Sequence, residues 1–153
     1  MIETGQTAPD FTLPRDGGGE ITLSALRPAF VVLYFYPKDD TSGCTKEAQD
    51  FTALADDFAA AGAKVVGVSK DSVAKHDKFV SKYGLAVALV SDEEGDVCER
   101  YGTWVEKSMY GKKYMGIERA TFLIDGTGKV AGVWRKVKVP GHAEEVLAAV
   151  KAL

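Results

Sequence analysis

Cys44 is the residue of this chain with the most evident chemistry. Thr41 stands three positions before it and Pro37 seven. A thiolate is a nucleophile where a thiol is not, so the question is what would favour the ionised form at this position. The run Val31 to Tyr36 is continuously β-branched and aromatic and is bounded by Pro37, which predicts a strand buried on both faces. A helix is then expected to begin near Thr41, a good N-cap residue. Its apolar face is Phe51, Leu54, Ala55 and Phe58, and Gly62 stops it. Cys44 falls in the first turn of that helix, where N–H groups lack partners and the aligned peptide dipoles place partial positive charge. Lys38 and Lys46 flank it. Thr41 lies on the same side of the helix, where its hydroxyl can donate and accept near the sulfur. Pro37 has no N–H to donate and stiffens the loop.

The plainer readings stand beside these. Free cysteine is among the most buried residue types, so Cys44 could be a structural thiol, and Thr41 a simple cap. Disulfide exchange of the C-x-x-C kind is excluded, because the corresponding residues are Thr41-Ser42-Gly43-Cys44.

A chain of 153 residues is of single-domain size and long enough to bury a proper core. Nineteen basic residues against 22 acidic, with no basic block, give no electrostatic reason to expect nucleic acid or an anionic membrane as partner. The N-terminus lacks the charge and apolar stretch of a signal peptide, and no apolar run approaches the ~20 residues of a membrane helix, so a cytoplasmic location is expected. Two cysteines are too few for a disulfide scaffold, and no cluster at ligand spacing makes a metal site.

In chain order, Asp10 to Arg15 and Glu20 to Leu23 form a predicted hairpin around Asp16-Gly17-Gly18-Gly19, followed by a helical turn at Ser24 to Arg27. After the central strand and first helix, Lys64 to Ser69 is a second apolar strand, which calls for a right-handed parallel crossover. Ser72 opens a helix with Val73, His76, Phe79, Val80 and Tyr83 at apolar spacing, ended by Gly84. Val87 to Val90 is a third strand, Asp92 to Tyr101 a short helix carrying Cys98, and Gly102 to Gly116 an irregular loop. Thr121 to Ile124 and Val130 to Arg135 read as a hairpin, and Glu144 and Glu145 open a last helix. The order is that of an α/β thioredoxin-like fold, a central mixed sheet flanked by helices with an N-terminal hairpin extension. No linker or repeat divides it, so residues 1–153 read as a single domain.

The segment Pro37-Lys38-Asp39-Asp40-Thr41-Ser42-Gly43-Cys44 resembles the P-x-x-x-T-x-x-C pattern of the peroxiredoxins. Tyr34-Phe35-Tyr36-Pro37-Lys38-Asp39 with Gly43-Cys44-Thr45 is similar to the bacterioferritin comigratory protein (PrxQ) subgroup. Asp92, Met109 to Lys112, Gly116 to Arg119, Thr121 to Asp125 and Trp134 to His142 extend the likeness over nearly the whole chain. The resemblance implies a thiol-dependent peroxidase acting on hydrogen peroxide and organic hydroperoxides. Cys44 would become a sulfenic acid, with Thr41, Arg119 and the N–H groups of Gly43 and Cys44 meeting the substrate and Pro37 shielding the sulfur. Arg119, by its pattern only a charge at the start of a strand running 119 to 125, gains a role from this resemblance. No cofactor is implied.

The likeness has one gap. Where members of the subgroup carry a resolving cysteine, this chain has Gln49 and Val80. The expectation is therefore a one-cysteine cycle in which glutathione, glutaredoxin or thioredoxin reduces Cys44, in a monomer or weak homodimer. Cys98 as a non-standard resolving residue is the alternative. A non-catalytic thioredoxin-like binding module or holdase is the rival of another class. His76 and His142 are expected to be a helix-surface and a helix-start residue, and Tyr36, Trp104, Met109 and Tyr110 are candidates for an entrance rim. Glu47, one turn after Cys44, is left as a network partner for Arg119 or Thr41.

Overall fold

The structure, a computed structural model, describes residues 2–153. A five-stranded mixed sheet organises it. β3 (Phe30–Phe35) runs parallel to β4 (Ala63–Ser69), which runs parallel to β5 (Ala88–Ser91). On its other side β3 pairs antiparallel with β8 (Ala120–Ile124), and β8 with β9 (Val130–Trp134). The order across the sheet is β5-β4-β3-β8-β9, which puts the β-branched and aromatic run at its centre. The architecture is the thioredoxin-like one read from the element order.

Alternation along β3 divides the core in two. Val31, Leu33 and Phe35 point to one side, where they meet Ala120, Phe122 and Ile124 of β8. That side is covered by the N-terminal hairpin β1 (Thr12–Pro14) and β2 (Glu20–Thr22), a 3₁₀ turn at Leu23–Leu26, and α4 (Val97–Arg100) with Cys98. Val32 and Tyr34, with Tyr36 just beyond the strand, point to the other side. There they pack against α1 (Ser42–Ala53), α2 (Ala55–Ala60), Phe79 of α3 (Val73–Tyr83) and α5 (His142–Lys151). Full burial of each large apolar side chain contributes roughly 1.5–3 kcal/mol, so strands buried on both faces, as β3 and β8 are, hold the two halves of the core together.

Three elements differ from the sequence reading. The first helix is not continuous to Gly62, because Leu54 leaves helical geometry and divides it into α1 and α2. The helix expected over Asp92 to Tyr101 forms only at Val97–Arg100, where Asp92 bonds the N–H groups of Val97 and Cys98 at 3.1 and 2.8 Å. The supposed irregular loop Gly102 to Gly116 is a hairpin, β6 (Trp104–Met109) and β7 (Lys112–Ile117), paired from Trp104–Ile117 to Met109–Lys112. Tyr110 and Gly111 form its two-residue turn with φ of 52° and 78°, a geometry glycine accepts readily and tyrosine adopts at a cost. No helix among the described residues is long and apolar enough to cross a membrane.

Candidate active site

β3 ends where α1 begins, and β8 begins beside that end. Phe35 pairs with Ala120, so Arg119, one residue before the strand, arrives over the start of α1. Its backbone is pinned from both sides: Val137 N–H donates to the Arg119 carbonyl at 3.0 Å, and Glu118 N–H to Thr103 O at 2.7 Å. The Glu118 carboxylate in turn holds Arg135 Nε at 2.7 Å.

From there the guanidinium reaches the sulfur. Arg119 Nη2 lies 3.4 Å from Cys44 Sγ, and Nη1 donates to Glu47 Oε1 at 2.7 Å. Cys44 and Glu47 are on one face of α1, three residues apart, so one planar fork can reach both. Gly43 leaves room for this approach, since a Cβ there would sit 3.1 Å from Arg119 Nη2 and the guanidinium would have to give by a few tenths of an ångström. Glu47 is buried, with Oε2 lacking a partner among the described residues. Burial raises its pKa to about 7 although Arg119 pulls the other way.

Thr41 occupies the N-cap position of α1 in extended geometry, as the sequence reading has it, and its carbonyl accepts from Thr45 N–H at 2.8 Å, but its side chain makes no capping bond. Its hydroxyl donates instead to Lys38 O at 2.9 Å, closing the loop on itself. The oxygen's lone pairs are thus turned away from the helix N–H groups and remain able to accept. With no side chain capping α1, the N–H groups of Gly43 and Cys44 have no carbonyl within the helix to meet.

Cys44 is only 2 % exposed. Pro37 lies over this end of the strand and lines a cleft of about 350 Å³ with Lys38, Trp104, Lys107, Tyr114 and Met115. Lys107 is half-buried, and both burial and the charge of Arg119 lower its pKa while Cys44 opposes them. The positive surroundings of the sulfur come from these two cations. Lys46, expected to supply them, instead pairs with Asp50 at 2.6 Å.

The rim residues separate. Trp104 lines the cleft, but Met109 and Tyr110 stand at the hairpin tip, Tyr110 being 99 % exposed. Tyr36 is buried and donates to Asp39 Oδ1. His76, read as a helix-surface residue, is also buried, with Nδ1 at 2.6 Å from Asp39 Oδ2. His142 does open α5, buried, with Nε2 2.8 Å from Thr121 Oγ1.

Cys98 is on the far side of the sheet. It belongs to the core of Val31, Leu33 and Phe35, whereas Cys44 belongs to that of Val32, Tyr34 and Tyr36. Both thiols are free. Burial pushes the Cys98 pKa far up, and the Asp92 carboxylate adds to the shift.

Comparison with known proteins decides the family. Residues 4–133 match the AhpC/TSA family. This chain is a peroxiredoxin. It is 52 % identical over 152 residues to peroxiredoxin Bcp of Xanthomonas campestris, covering 99 % of this chain and 95 % of the relative. Peroxiredoxin Bcp of Bacillus subtilis is 48 % identical over 150 residues, covering 98 % and 96 %. Among solved structures, a bacterioferritin comigratory protein of Xanthomonas campestris, described in connection with its alkyl peroxide reduction activity, superposes with a TM-score of 0.90. It is 49 % identical, covering 99 % of this chain and 97 % of that one. The likeness places this peroxiredoxin in the bacterioferritin comigratory protein (PrxQ) subgroup.

Proposed function

We propose that this peroxiredoxin reduces hydrogen peroxide and organic hydroperoxides through Cys44 and is regenerated by an external thiol. The observation that carries the reading is the Arg119 guanidinium 3.4 Å from Cys44 Sγ, braced by Glu47 behind it. A fixed cation at that distance stabilises a thiolate, and a guanidinium carries more N–H donors than these two contacts use. The alkyl peroxide reduction described for the Xanthomonas campestris relative lies in the same chemical class.

In the reaction the Cys44 thiolate attacks the terminal oxygen of R–O–OH. The S–O bond forms as the O–O bond breaks, sulfur is oxidised by two electrons to the sulfenic acid, and RO⁻ leaves and takes a proton from solvent to become ROH. Charge grows on both peroxide oxygens in the transition state. Arg119 and the N–H groups of Gly43 and Cys44 are donors set in advance to meet it. Thr41, its proton committed to Lys38 O, accepts the peroxide O–H and orients it. Pro37 covers the sulfur and limits further attack by water or a second peroxide.

The position of the second thiol supports regeneration from outside. A disulfide needs Cα atoms within about 7 Å. Cys44 and Cys98 belong to cores on opposite sides of the sheet, so joining them would require α1 or α4 to leave its place. An external thiol instead attacks the sulfenic sulfur, releases water and leaves a mixed disulfide that a second thiol reduces. Glutathione, glutaredoxin and thioredoxin all have the required chemistry. Intact-mass analysis after one equivalent of peroxide tests this directly. The expected product without thiol is Cys44 sulfenic or sulfinic acid, and with glutathione an adduct on Cys44. Prompt conversion to an internal Cys44–Cys98 bond would reverse the assignment and make Cys98 the resolving residue.

A further inference from the structure

The loop carrying Pro37 and Thr41 is tied by a buried network whose hydrogen bonds do not include Cys44. Asp39, in that loop, accepts from the Tyr36 hydroxyl on Oδ1, and its Oδ2 lies 2.6 Å from His76 Nδ1 on α3. The other ring nitrogen, His76 Nε2, lies 2.9 Å from Val90 O of β5. A carbonyl can only accept, so Nε2 carries a hydrogen. Nδ1 faces Asp39 Oδ2, and opposite an ionised carboxylate it too must donate. The ring form that donates from both nitrogens is the imidazolium. Asp39 is further fixed by its own N–H, which donates to Asp71 Oδ2 at 2.9 Å, and Asp71 also accepts from the Ser69 hydroxyl at 2.7 Å.

We propose that His76 is a positioning residue of the peroxidase: as an imidazolium it clamps Asp39, and through Asp39 it holds the Pro37–Thr41 loop in the register that sets Pro37 and the Thr41 hydroxyl over Cys44. This rests on the function proposed above. The pairing also fits the direction of His76's titration. Burial alone lowers its pKa, but the hydrogen bond and charge of Asp39, the Val90 carbonyl and Asp71 outweigh burial, and the net shift is upward. The groups facing it are Asp39 and Tyr36 from the β3 end, Asp71 from the β4 end, and Val90 O from β5. On the solvent side Lys38, Asp40, Lys75, Lys78 and Lys82 line the cleft above Asp39 and Phe79. A second, exposed tie repeats the connection, since Asp40 accepts from Lys82 at 2.9 Å and from the Tyr83 hydroxyl.

The clamp gives the reaction a pH dependence of its own. With the folded pKa raised above the ordinary 6.5, the stabilisation is complete below that value and is lost as pH rises through the folded one. Thiolate oxidation alone would hold level or increase over the same interval. The clamp predicts a decline of up to about 10²-fold, the scale on which an ångström's displacement of a catalytic group acts. Glu47, titrating at about 7, acts in the opposite direction, on the acid side.

Nitrogen-15 NMR of the imidazoles, recorded alongside stopped-flow oxidation of Cys44 by hydrogen peroxide across pH, tests the proposal. In the wild type, His76 should carry protons on both nitrogens at pH 7, and the alkaline decline in rate should share the midpoint of its deprotonation. Asp39→Asn should move that titration and the decline together to lower pH. His76→Gln should remove the decline and leave a low rate throughout. A singly protonated His76 at pH 7, or a decline that stays in place when Asp39→Asn moves the titration, would overturn the proposal. If either variant does not fold, the wild-type midpoints decide, coincident or not. Cys44→Ser serves as the separate control: peroxide turnover in that variant would remove the underlying function and not the clamp.

Discussion

The two sides of the central sheet each bury one cysteine, at 2 % and 0 % exposure, and set a charge of opposite sign beside it, a guanidinium paired with Glu47 on one side and a carboxylate paired with Lys70 on the other. On one side Cys44 meets the Arg119 guanidinium at the uncapped start of a helix. On the other Cys98 lies beside the Asp92 carboxylate, which also takes the Cys98 N–H at 2.8 Å. Both thiols are buried, so the contrast on which the proposed function rests is the sign of the charge beside each sulfur, a guanidinium against a carboxylate.

The largest effect that tests this contrast is loss of one thiol or the other. Cys44→Ser should abolish peroxide reduction, while Cys98→Ser should leave single-turnover oxidation of Cys44 nearly unchanged, both read by a peroxide-consumption assay. Appreciable turnover in the Cys44 variant would end the contrast. Next comes the charge itself. Arg119→Ala should slow stopped-flow oxidation by about 10²–10³-fold, the usual worth of one transition-state donor, and Thr41→Val by a comparable or smaller factor. A wild-type rate for Arg119→Ala would mean that the cation beside the sulfur is structural.

Much of this arrangement is legible in the sequence, and the part that is not has a common cause. Pro37, Thr41 and Cys44 lie within eight residues, so a strand followed by a helix brings them together without reference to the rest of the chain. Arg119 is distant, and only the Phe35–Ala120 pairing carries it to the sulfur; pattern alone shows a charge at a strand's edge. His76 is at helical spacing with Val73, Phe79, Val80 and Tyr83, yet its acceptors Asp39 and Val90 O come from two other elements. The β6–β7 hairpin is hidden in the sequence because most of its residues are exposed or half-buried on both faces, leaving no alternation to detect; the one remaining signal is the Tyr110-Gly111 turn.

The Cys44 side is also the side that carries an electrostatic cost. Glu47 is buried beside Arg119, and its pKa of about 7 instead of 4.5 shows that burial outweighs the attraction. A carboxyl raised in the folded state contributes stability that is complete below 4.5 and lost as pH rises to about 7, up to about 3 kcal/mol at 1.36 kcal/mol per unit. Glu47→Gln should remove that slope from urea-denaturation curves, and because the upward shift already includes the attraction of Arg119, it should not destabilise the protein at pH 8. It should nonetheless slow oxidation, because Arg119 loses the anion that braces it. A variant that is both more stable and as fast would show that the brace has no part in the reaction.

The smallest effect belongs to the quiet side. Cys98 has a folded pKa raised well above 9.0, first by burial and then by Asp92. In the unfolded chain the thiol ionises normally, so above about pH 9 the unfolded state gives up a proton that the folded state retains, and stability falls with further rise in pH. One group contributes at most about 1.4 kcal/mol per pH unit to that fall. Lysines and tyrosines titrate in the same range, so the informative quantity is the difference in slope between variants. Cys98→Ala should reduce the slope of unfolding free energy between pH 9 and 10.5 by up to that amount, and Asp92→Asn by a smaller part, since burial remains. Neither change should move the pH dependence of Cys44 oxidation, from which the Cys98 side is separated by the sheet. An unchanged slope in Cys98→Ala would mean that this thiol already ionises in the folded protein, and the contrast between the two sides would then rest on access to the sulfur and not on charge.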